Sequence, residues 1–153
     1  MPILNYTTKV PVDRTVAEIT SLLVRKGARS ITSEYEEDGR VSAVSFIMRV
    51  GGLPTRFKLP SNPEGVAAVM MRDKPRRTQT TRTQYEAKMR LQAEWVSWRI
   101  LKDWVAAQMA LIESGQAEVA QVFMPYATAQ DGRTMYELFV ENNQKQLGSG
   151  AED

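Results

Sequence analysis

The densest group of side chains that could do chemistry lies between residues 72 and 90, which we call the basic segment. Its basic residues are Arg72, Lys74, Arg76, Arg77, Arg82, Lys88 and Arg90. Asp73 and Glu86 are its acidic residues, so seven positive charges face two negative ones and the net charge is +5. Closely spaced Arg and Lys side chains neutralise phosphates and release their counterions, which favours binding to nucleic acid of any sequence.

Small hydroxyl side chains suited to phosphate oxygens are interleaved with these cations. They are Thr78, Thr80, Thr81 and Thr83. We therefore predict that the first five cations of the basic segment contact phosphate, namely Arg72, Lys74, Arg76, Arg77 and Arg82. Three other interpretations stay open: a solvated linker, a loop that pairs with carboxylates of the same chain, and a docking site for a protein.

The last quarter of the chain, residues 113–153, has the opposite imbalance, and we call it the acidic part. Its carboxylates belong to Glu113, Glu118, Asp131, Glu137, Glu141, Glu152 and Asp153. Arg133 and Lys145 are its basic residues, which leaves a net charge of −5. The net charge of the whole chain, +2, therefore hides two oppositely charged regions that could pair with each other.

A second set of cations falls on one face of a predicted sheet. Arg56 and Lys58, with Arg49 on the neighbouring strand, predict a platform that supports nucleic-acid binding. Simple charge pairing with Glu34 and Glu36 across the strands is the alternative.

The residue types of the chain argue against an enzyme. Cysteine and histidine are both missing. Without them there is no Ser-His-Asp triad, no Cys-His dyad and no ordinary zinc or iron site. The carboxylates of residues 34–38 alternate along a strand and run into a turn, unlike a magnesium site. We predict a protein that is not an enzyme and has no catalytic residues, no metal and no cofactor.

The elements before residue 30 are predicted from periodicity and capping residues. Alternation over residues 2–10 predicts a strand that joins the edge of the sheet. Asp13 is suited to begin a helix and Gly27 to end it. The helical face between them is Val12, Val16, Ile19 and Leu23.

Two tight turns predict a three-stranded meander. A two-residue loop at Asp38-Gly39 predicts the pairs Glu37–Arg40, Tyr35–Ser42, Ser33–Val44 and Ile31–Phe46. A turn at Gly51-Gly52 predicts the pairs Val50–Leu53, Met48–Thr55, Phe46–Phe57 and Val44–Leu59. Both registers place the same apolar residues on one face, and a slip of one residue would scramble them.

The second half of the chain is predicted to be helical. Asn62-Pro63 begins a short helix, and residues 73–83, which lack apolar side chains, form a loop. A long helix should run from about Thr83 to Ser114 and end at Gly115. Its second half is apolar nearly all round, which predicts either a central strut or a subunit interface.

The predicted fold class is α+β: an antiparallel meander of three to four strands, helices on one face, and one long, partly buried helix in the C-terminal half. A last short helix is expected around residues 135–139. Residues 1–147 are predicted to form a single domain and residues 148–153 a disordered tail.

Three segments resemble a family of small, uncharacterised proteins of phages and mobile elements. They are Trp98–Glu113, Val122–Tyr126 and Asp131–Glu137. The order helix, meander, helix is also similar to double-stranded RNA-binding domains and to the core of single-strand annealing proteins. The chain departs from the former, because Thr83-Gln84-Tyr85-Glu86 stands where they have a lysine-rich helix start.

These observations together predict a non-enzymatic nucleic-acid-binding accessory protein of a phage or mobile element, of which single-strand binding or annealing is one form. The partner would be single-stranded or double-stranded nucleic acid, and assembly into a homo-oligomer is expected. The alternative is a protein-interaction module, either an inhibitor of a host enzyme or an oligomeric structural protein. We find no signal peptide and no apolar run long enough for a membrane, which predicts a cytoplasmic location.

Overall fold

The computed structural model of the chain describes residues 2–150, with side chains to residue 148. Its elements in chain order are α1 (Val12–Arg25), β1 (Ser30–Tyr35), β2 (Val41–Val50), β3 (Leu53–Pro60), α2 (Pro63–Asp73), α3 (Arg82–Glu113), α4 (Val119–Phe123), a 3₁₀ turn (Met124–Tyr126) and α5 (Met135–Gly150). The three strands form one antiparallel sheet in the order β1-β2-β3. The predicted α+β class and the long helix of the C-terminal half are confirmed.

The strand predicted at residues 2–10 is wrong. This segment forms turns in which the amide of Tyr6 donates to the carbonyl of Ile3 (3.2 Å) and that of Thr8 donates to Asn5 (3.0 Å). Asn5 has a φ of +63°, which no strand residue adopts. The side chain of Gln92 on α3 donates to the carbonyls of Tyr6 and Thr8, so these groups need no strand partner.

The second hairpin has the predicted register, from Val50 opposite Leu53 to Val44 opposite Leu59. The first hairpin is correct only away from its turn. Ile31 pairs with Phe46 as predicted, but Tyr35 pairs with Val41 rather than Ser42 because a bulge follows Glu34.

The loop of this first hairpin holds three residues instead of two, because the amide of Glu36 donates to the carbonyl of Arg40 (2.8 Å). Gly39 takes a φ of +87°, and the Asp38 carboxylate accepts from the amide of Arg40 (3.1 Å). A left-handed glycine at the third loop position is the usual way to close such a turn.

The core lies between the apolar face of the sheet and the helices α1 and α3. Its largest buried side chains are Trp98, Phe46, Phe57, Phe123, Ile19, Leu23 and Leu59. The ring of Phe123 lies 5.4 Å from Phe46, 5.9 Å from Phe57 and 5.7 Å from Trp104 (centroid distances), and so joins the C-terminal elements to the sheet and α3. Burial of aromatic rings is a major source of stability.

The long helix α3 acts as the strut that the sequence predicted as one of two alternatives. Trp98, Val105 and Met109 are buried in the main core, while Ala93 and Val96 pack on Ala67 and Met70 of α2 in a second cluster. Its apolar side chains are thus largely accounted for by contacts within the domain.

The C-terminal elements follow the outer edge of β3. The amide of Thr128 donates to the carbonyl of Arg56 (2.9 Å), and a short turn at residues 129–133 leads back to α5. Helix α5 continues through residues 148–150, and the rest of the predicted tail, residues 151–153, lies outside the described residues.

Candidate nucleic-acid interface

The basic segment consists of the last turn of α2, a connecting loop over residues 74–81, and the first turns of α3. Tyr85 holds these parts together, because its hydroxyl donates to the carbonyl of Lys74 (2.6 Å) and lies 3.3 Å from that of Met71. The hydroxyl of Thr81 accepts from the amide of Gln84 (3.2 Å) and so caps the start of α3. The loop is therefore attached at both ends to the helices that flank it, α2 and α3.

Within the loop, residues 76–80 form a turn that carries two of the predicted phosphate ligands. The amide of Thr80 donates to the carbonyl of Arg77 (3.1 Å), and the guanidinium of Arg76 donates to the carbonyl of Thr80 (3.1 Å). The predicted loop at residues 73–83 is present but shorter, since Asp73 ends α2 and Arg82 begins α3.

All seven cations of the basic segment are exposed. Two of them have a carboxylate partner, and in both cases the partner is local: Arg72 with Asp73 (3.2 Å) and Arg82 with Glu86 (3.1 Å). The side chains of these arginines are 72% and 83% exposed, so water and salt screen both pairs.

The remaining five cations make no ion pair with any described residue. They are Lys74, Arg76, Arg77, Lys88 and Arg90. The predicted alternative in which the acidic part neutralises the basic segment is therefore not seen across residues 2–148.

Three carboxylates of the acidic part pair with cations that do not belong to the basic segment. Arg133 pairs with Asp131 (2.7 Å) and with Glu141, while Lys26, directly after α1, pairs with Glu113 (3.4 Å). The backbone amide and then the guanidinium of Arg133 lower the pKa of Asp131 below its ordinary value. These charges thus stabilise the turn before α5 and the end of α3, and do not reach the basic segment.

The N-terminus of α3 adds to the positive field of the basic segment. Its first turn carries no acidic residue, whereas Asp13, Glu64 and Glu137 occupy the first turns of α1, α2 and α5. The free amides at a helix start attract anions, and a carboxylate there would oppose a phosphate.

The two sheet cations of the predicted site differ in their partners. Lys58 pairs with Glu34 (3.7 Å), whose carboxylate also accepts from the hydroxyl of Ser45 (3.0 Å). Arg56 is exposed and has no ion-pair partner among the described residues. Both belong to β3, which precedes α2 in the chain.

Carboxylates also line the surface next to Lys58. Glu36, Glu64 and Glu94 lie around a single cleft with Arg40 and Lys58. Lys58 therefore lies beside several carboxylates, whereas Arg90 of the basic segment lines a neighbouring cleft with Arg40 and Glu64.

Two features were missed at the level of sequence. The first is the role of Tyr85, for which the signal was a single aromatic residue within the basic segment. The second is a repeated tripeptide, Asp38-Gly39-Arg40 and Asp131-Gly132-Arg133, whose two copies fold alike. In each copy the arginine amide and Nε donate to the aspartate, and the arginine also pairs with a glutamate.

In residues 2–148 no group of three or more acidic side chains could hold a metal ion. Nor does any described helix have the length and apolar character needed to cross a membrane. Comparison with known proteins finds no matching family model, no matching curated protein and no matching solved structure. The two resemblances stated above therefore stay predictions.

Proposed function

We propose that the protein binds nucleic acid through the basic segment and carries out no chemistry on it. The observation that supports this function is the group of five exposed cations without an ion-pair partner among the described residues. Free Lys and Arg side chains on one short stretch are the usual electrostatic footprint of phosphate binding.

Binding should depend on the phosphates and not on the bases. Tyr85 is the one aromatic residue between positions 72 and 90, and its hydroxyl is engaged with backbone carbonyls. Proteins that grip single strands usually add aromatic side chains on which bases stack. We therefore expect little preference among sequences and no strong preference for single strands over duplexes.

The cations divide into two groups by expected contribution. Arg76, Arg77 and Lys74 would contact phosphate directly, and Arg72 and Arg82 would do so after exchanging their exposed local carboxylates for it. Arg56 would support this contact, and Lys58 would contribute less, because Glu34 pairs with it and further carboxylates line the cleft beside it. The proposed origin in a phage or mobile element rests on the resemblance of residues 98–137 alone.

A salt titration tests this function. Binding of a labelled oligonucleotide, offered as single strand and as duplex, would be followed by fluorescence anisotropy from low to physiological salt. Five phosphate contacts predict a slope of log K against log salt of about −3.5 for the single strand and about −4.5 for the duplex. Arg76→Ala with Arg77→Ala should make the slope shallower by about 1.4 to 1.8 and weaken binding at low salt on the order of tenfold.

A matched control removes the same charge elsewhere. Arg25 and Arg29 are exposed and have no ion pair with any described residue. Arg25→Ala with Arg29→Ala should leave slope and affinity nearly unchanged. Equal losses for the two double variants would mean that only net charge matters, and no binding at low salt would remove the proposed function.

The rival function is a protein-interaction module that offers the same cations to an acidic partner. It predicts no affinity for either oligonucleotide at low salt. Charged residues at the edge of an interface mainly speed association and select partners. This rival function therefore also predicts that Arg76→Ala with Arg77→Ala slows association with that partner.

A further inference from the structure

A cleft of about 400 Å³ lies where several parts of the chain meet. Its walls come from the N-terminal turn, the end of β3, the first turns of α2, the middle of α3 and the 3₁₀ turn. Sites for small molecules are usually clefts of about 300–1,000 Å³. A dry apolar cavity of about 150 Å³ holds one benzene ring, so this cleft has room for two fused rings.

The walls of this cleft are mostly apolar, and its described lining residues include no Lys, Arg, Asp or Glu. Trp104 and Tyr126 belong to the same wall, with their ring centroids 5.4 Å apart. Trp104 also contacts the fully buried ring of Phe123 (5.7 Å between centroids), which holds it in place. Such a site favours a neutral ring system, because a charged ligand would lose its hydration without gaining an ion partner.

Two serine hydroxyls add a polar point to the cleft. Ser97 of α3 is buried, and its Oγ lies 2.7 Å from that of Ser61, directly after β3. One hydrogen bond between two hydroxyls uses only one of their two protons. Neither hydroxyl makes a second hydrogen bond with a described residue, so the other proton is available to an acceptor.

The other polar side chains that line the cleft also offer mainly donors. The indole N–H of Trp104 can only donate, and neither it nor the hydroxyl of Tyr126 has a hydrogen bond with a described residue. The side-chain oxygen of Asn62 already accepts from the amide of Gly65 (3.1 Å). A ligand that completes these hydrogen bonds should therefore carry an acceptor, such as a carbonyl oxygen.

We propose that this cleft binds a neutral aromatic small molecule of about two fused rings, whose carbonyl oxygen accepts a hydrogen bond from the Ser61–Ser97 pair. The rings would lie against Trp104 and Tyr126 and displace water from the apolar walls. No cation of the basic segment is among the described residues that line the cleft, so this binding does not depend on the proposed nucleic-acid binding.

A titration with a fluorescent ligand tests the proposal. The full chain would be added to a dilute solution of prodan, a neutral dialkylaminonaphthalene with one ketone, and binding followed by fluorescence anisotropy. We expect a dissociation constant on the order of 0.1 mM for a ligand of this size. The same naphthalene without the ketone should bind about three- to tenfold more weakly. Equal affinities, or no saturable binding of prodan, would overturn the proposal.

Two double variants test the hydroxyl pair. Ser61→Ala with Ser97→Ala removes both hydroxyls together, so neither is left buried without its partner. Prodan should bind this variant about three- to tenfold more weakly, and the compound without the ketone should bind it as before. Ser21→Ala with Ser33→Ala is the matched control, since these serines of α1 and β1 lie outside the cleft and their side chains make no hydrogen bond with a described residue. Equal results for the two double variants would contradict the role of the pair.

Filling the cleft tests where the ligand binds. Val66 of α2 lines the cleft, so Val66→Phe should take up space in it and weaken both compounds about tenfold or more. Val24→Phe is the control, because Val24 is 55% exposed on α1 and does not line the cleft, and it should bind both compounds like the wild type. If Val66→Phe also binds both like the wild type, they bind elsewhere and the assignment of this cleft is wrong.

Discussion

The basic segment and the acidic part have opposite net charges of equal size, but the structure uses the two sets of charges differently. Arg133 joins two carboxylates of the acidic part and Lys26 takes a third, whereas five of the seven cations in the basic segment have no ion-pair partner among the described residues. Charge that has a partner inside the domain contributes to the fold. Charge that has none is available to a ligand.

The two regions also differ in how they are attached. The acidic part is anchored by Phe123, a buried ring that meets the sheet and α3. The basic segment is anchored by polar contacts of Tyr85 next to the smaller cluster between α2 and α3. Loss of one anchor should therefore leave the other region intact.

The largest effect is expected for Phe123→Ala. Removing a fully buried aromatic ring leaves a cavity and should lower the free energy of unfolding by about 3–5 kcal/mol, measured by urea denaturation. Nucleic-acid affinity, measured below the transition, should stay unchanged because the basic segment packs on the second cluster. Should Phe123→Ala not fold, Phe123→Leu gives a milder loss of about 1–2 kcal/mol and the same comparison. An affinity that falls together with stability would show that the two regions are not separate.

Sequence patterns predicted well the parts of the fold that local geometry determines. The turn at Gly51-Gly52 and the alternation on both sides of it set the register of β2 and β3, because a slip would expose every buried side chain. The start of α2 followed from Asn62, whose side chain accepts from the amide of Gly65 (3.1 Å).

Features that depend on distant residues were not predictable in this way. The segment at residues 2–10 alternates like a strand, but Gln92 and Asp103 of α3 hold it as a turn. Which of the cations are neutralised is a tertiary property as well. The sequence shows their charge, but only the fold shows that no described carboxylate of the acidic part pairs with them.

Tyr85→Phe should have the next largest effect. The variant removes a hydroxyl that donates to the carbonyl of Lys74, so we expect a loss of about 0.5–1.5 kcal/mol in the free energy of unfolding. Hydrogen exchange should quicken at residues 74–81 and not in the acidic part. Tyr136→Phe is the control, since Tyr136 is exposed and makes no hydrogen bond with a described residue. Equal changes for the two variants would contradict the role given to Tyr85.

The smallest effect concerns the titration of Asp131. The amide and side chain of Arg133 hold its pKa below the ordinary 3.8, so its stabilising contribution is present above that pH and is lost as the pH falls through the folded pKa. In Arg133→Ala the amide remains while the guanidinium is lost. The pKa of Asp131 should therefore rise only part of the way, as measured by NMR of the carboxyl carbon.

In the other copy of the tripeptide, Asp38-Gly39-Arg40, the arginine contacts two carboxylates whose pKa values shift in opposite directions. The amide and side chain of Arg40 lower the pKa of Asp38, but burial raises the pKa of Glu94, whose side chain is 15% exposed. Stability linked to Glu94 is thus lost as the pH rises from the ordinary 4.5 through its folded pKa. Arg40→Ala should raise the pKa of both carboxyls, because the same guanidinium favours the charged form of each.

The pKa of Asp131 also tests whether the basic segment and the acidic part are separate. If the acidic part has its partners within the domain, Arg76→Ala with Arg77→Ala should leave the pKa of Asp131 where it is in the wild type, although the variant loses the same kind of charge as Arg133→Ala. A shift at Asp131 in that double variant would mean that the arginines of the loop already interact with the acidic part. The cations of the basic segment would then not be free, and the main reason to expect a phosphate ligand there would be lost.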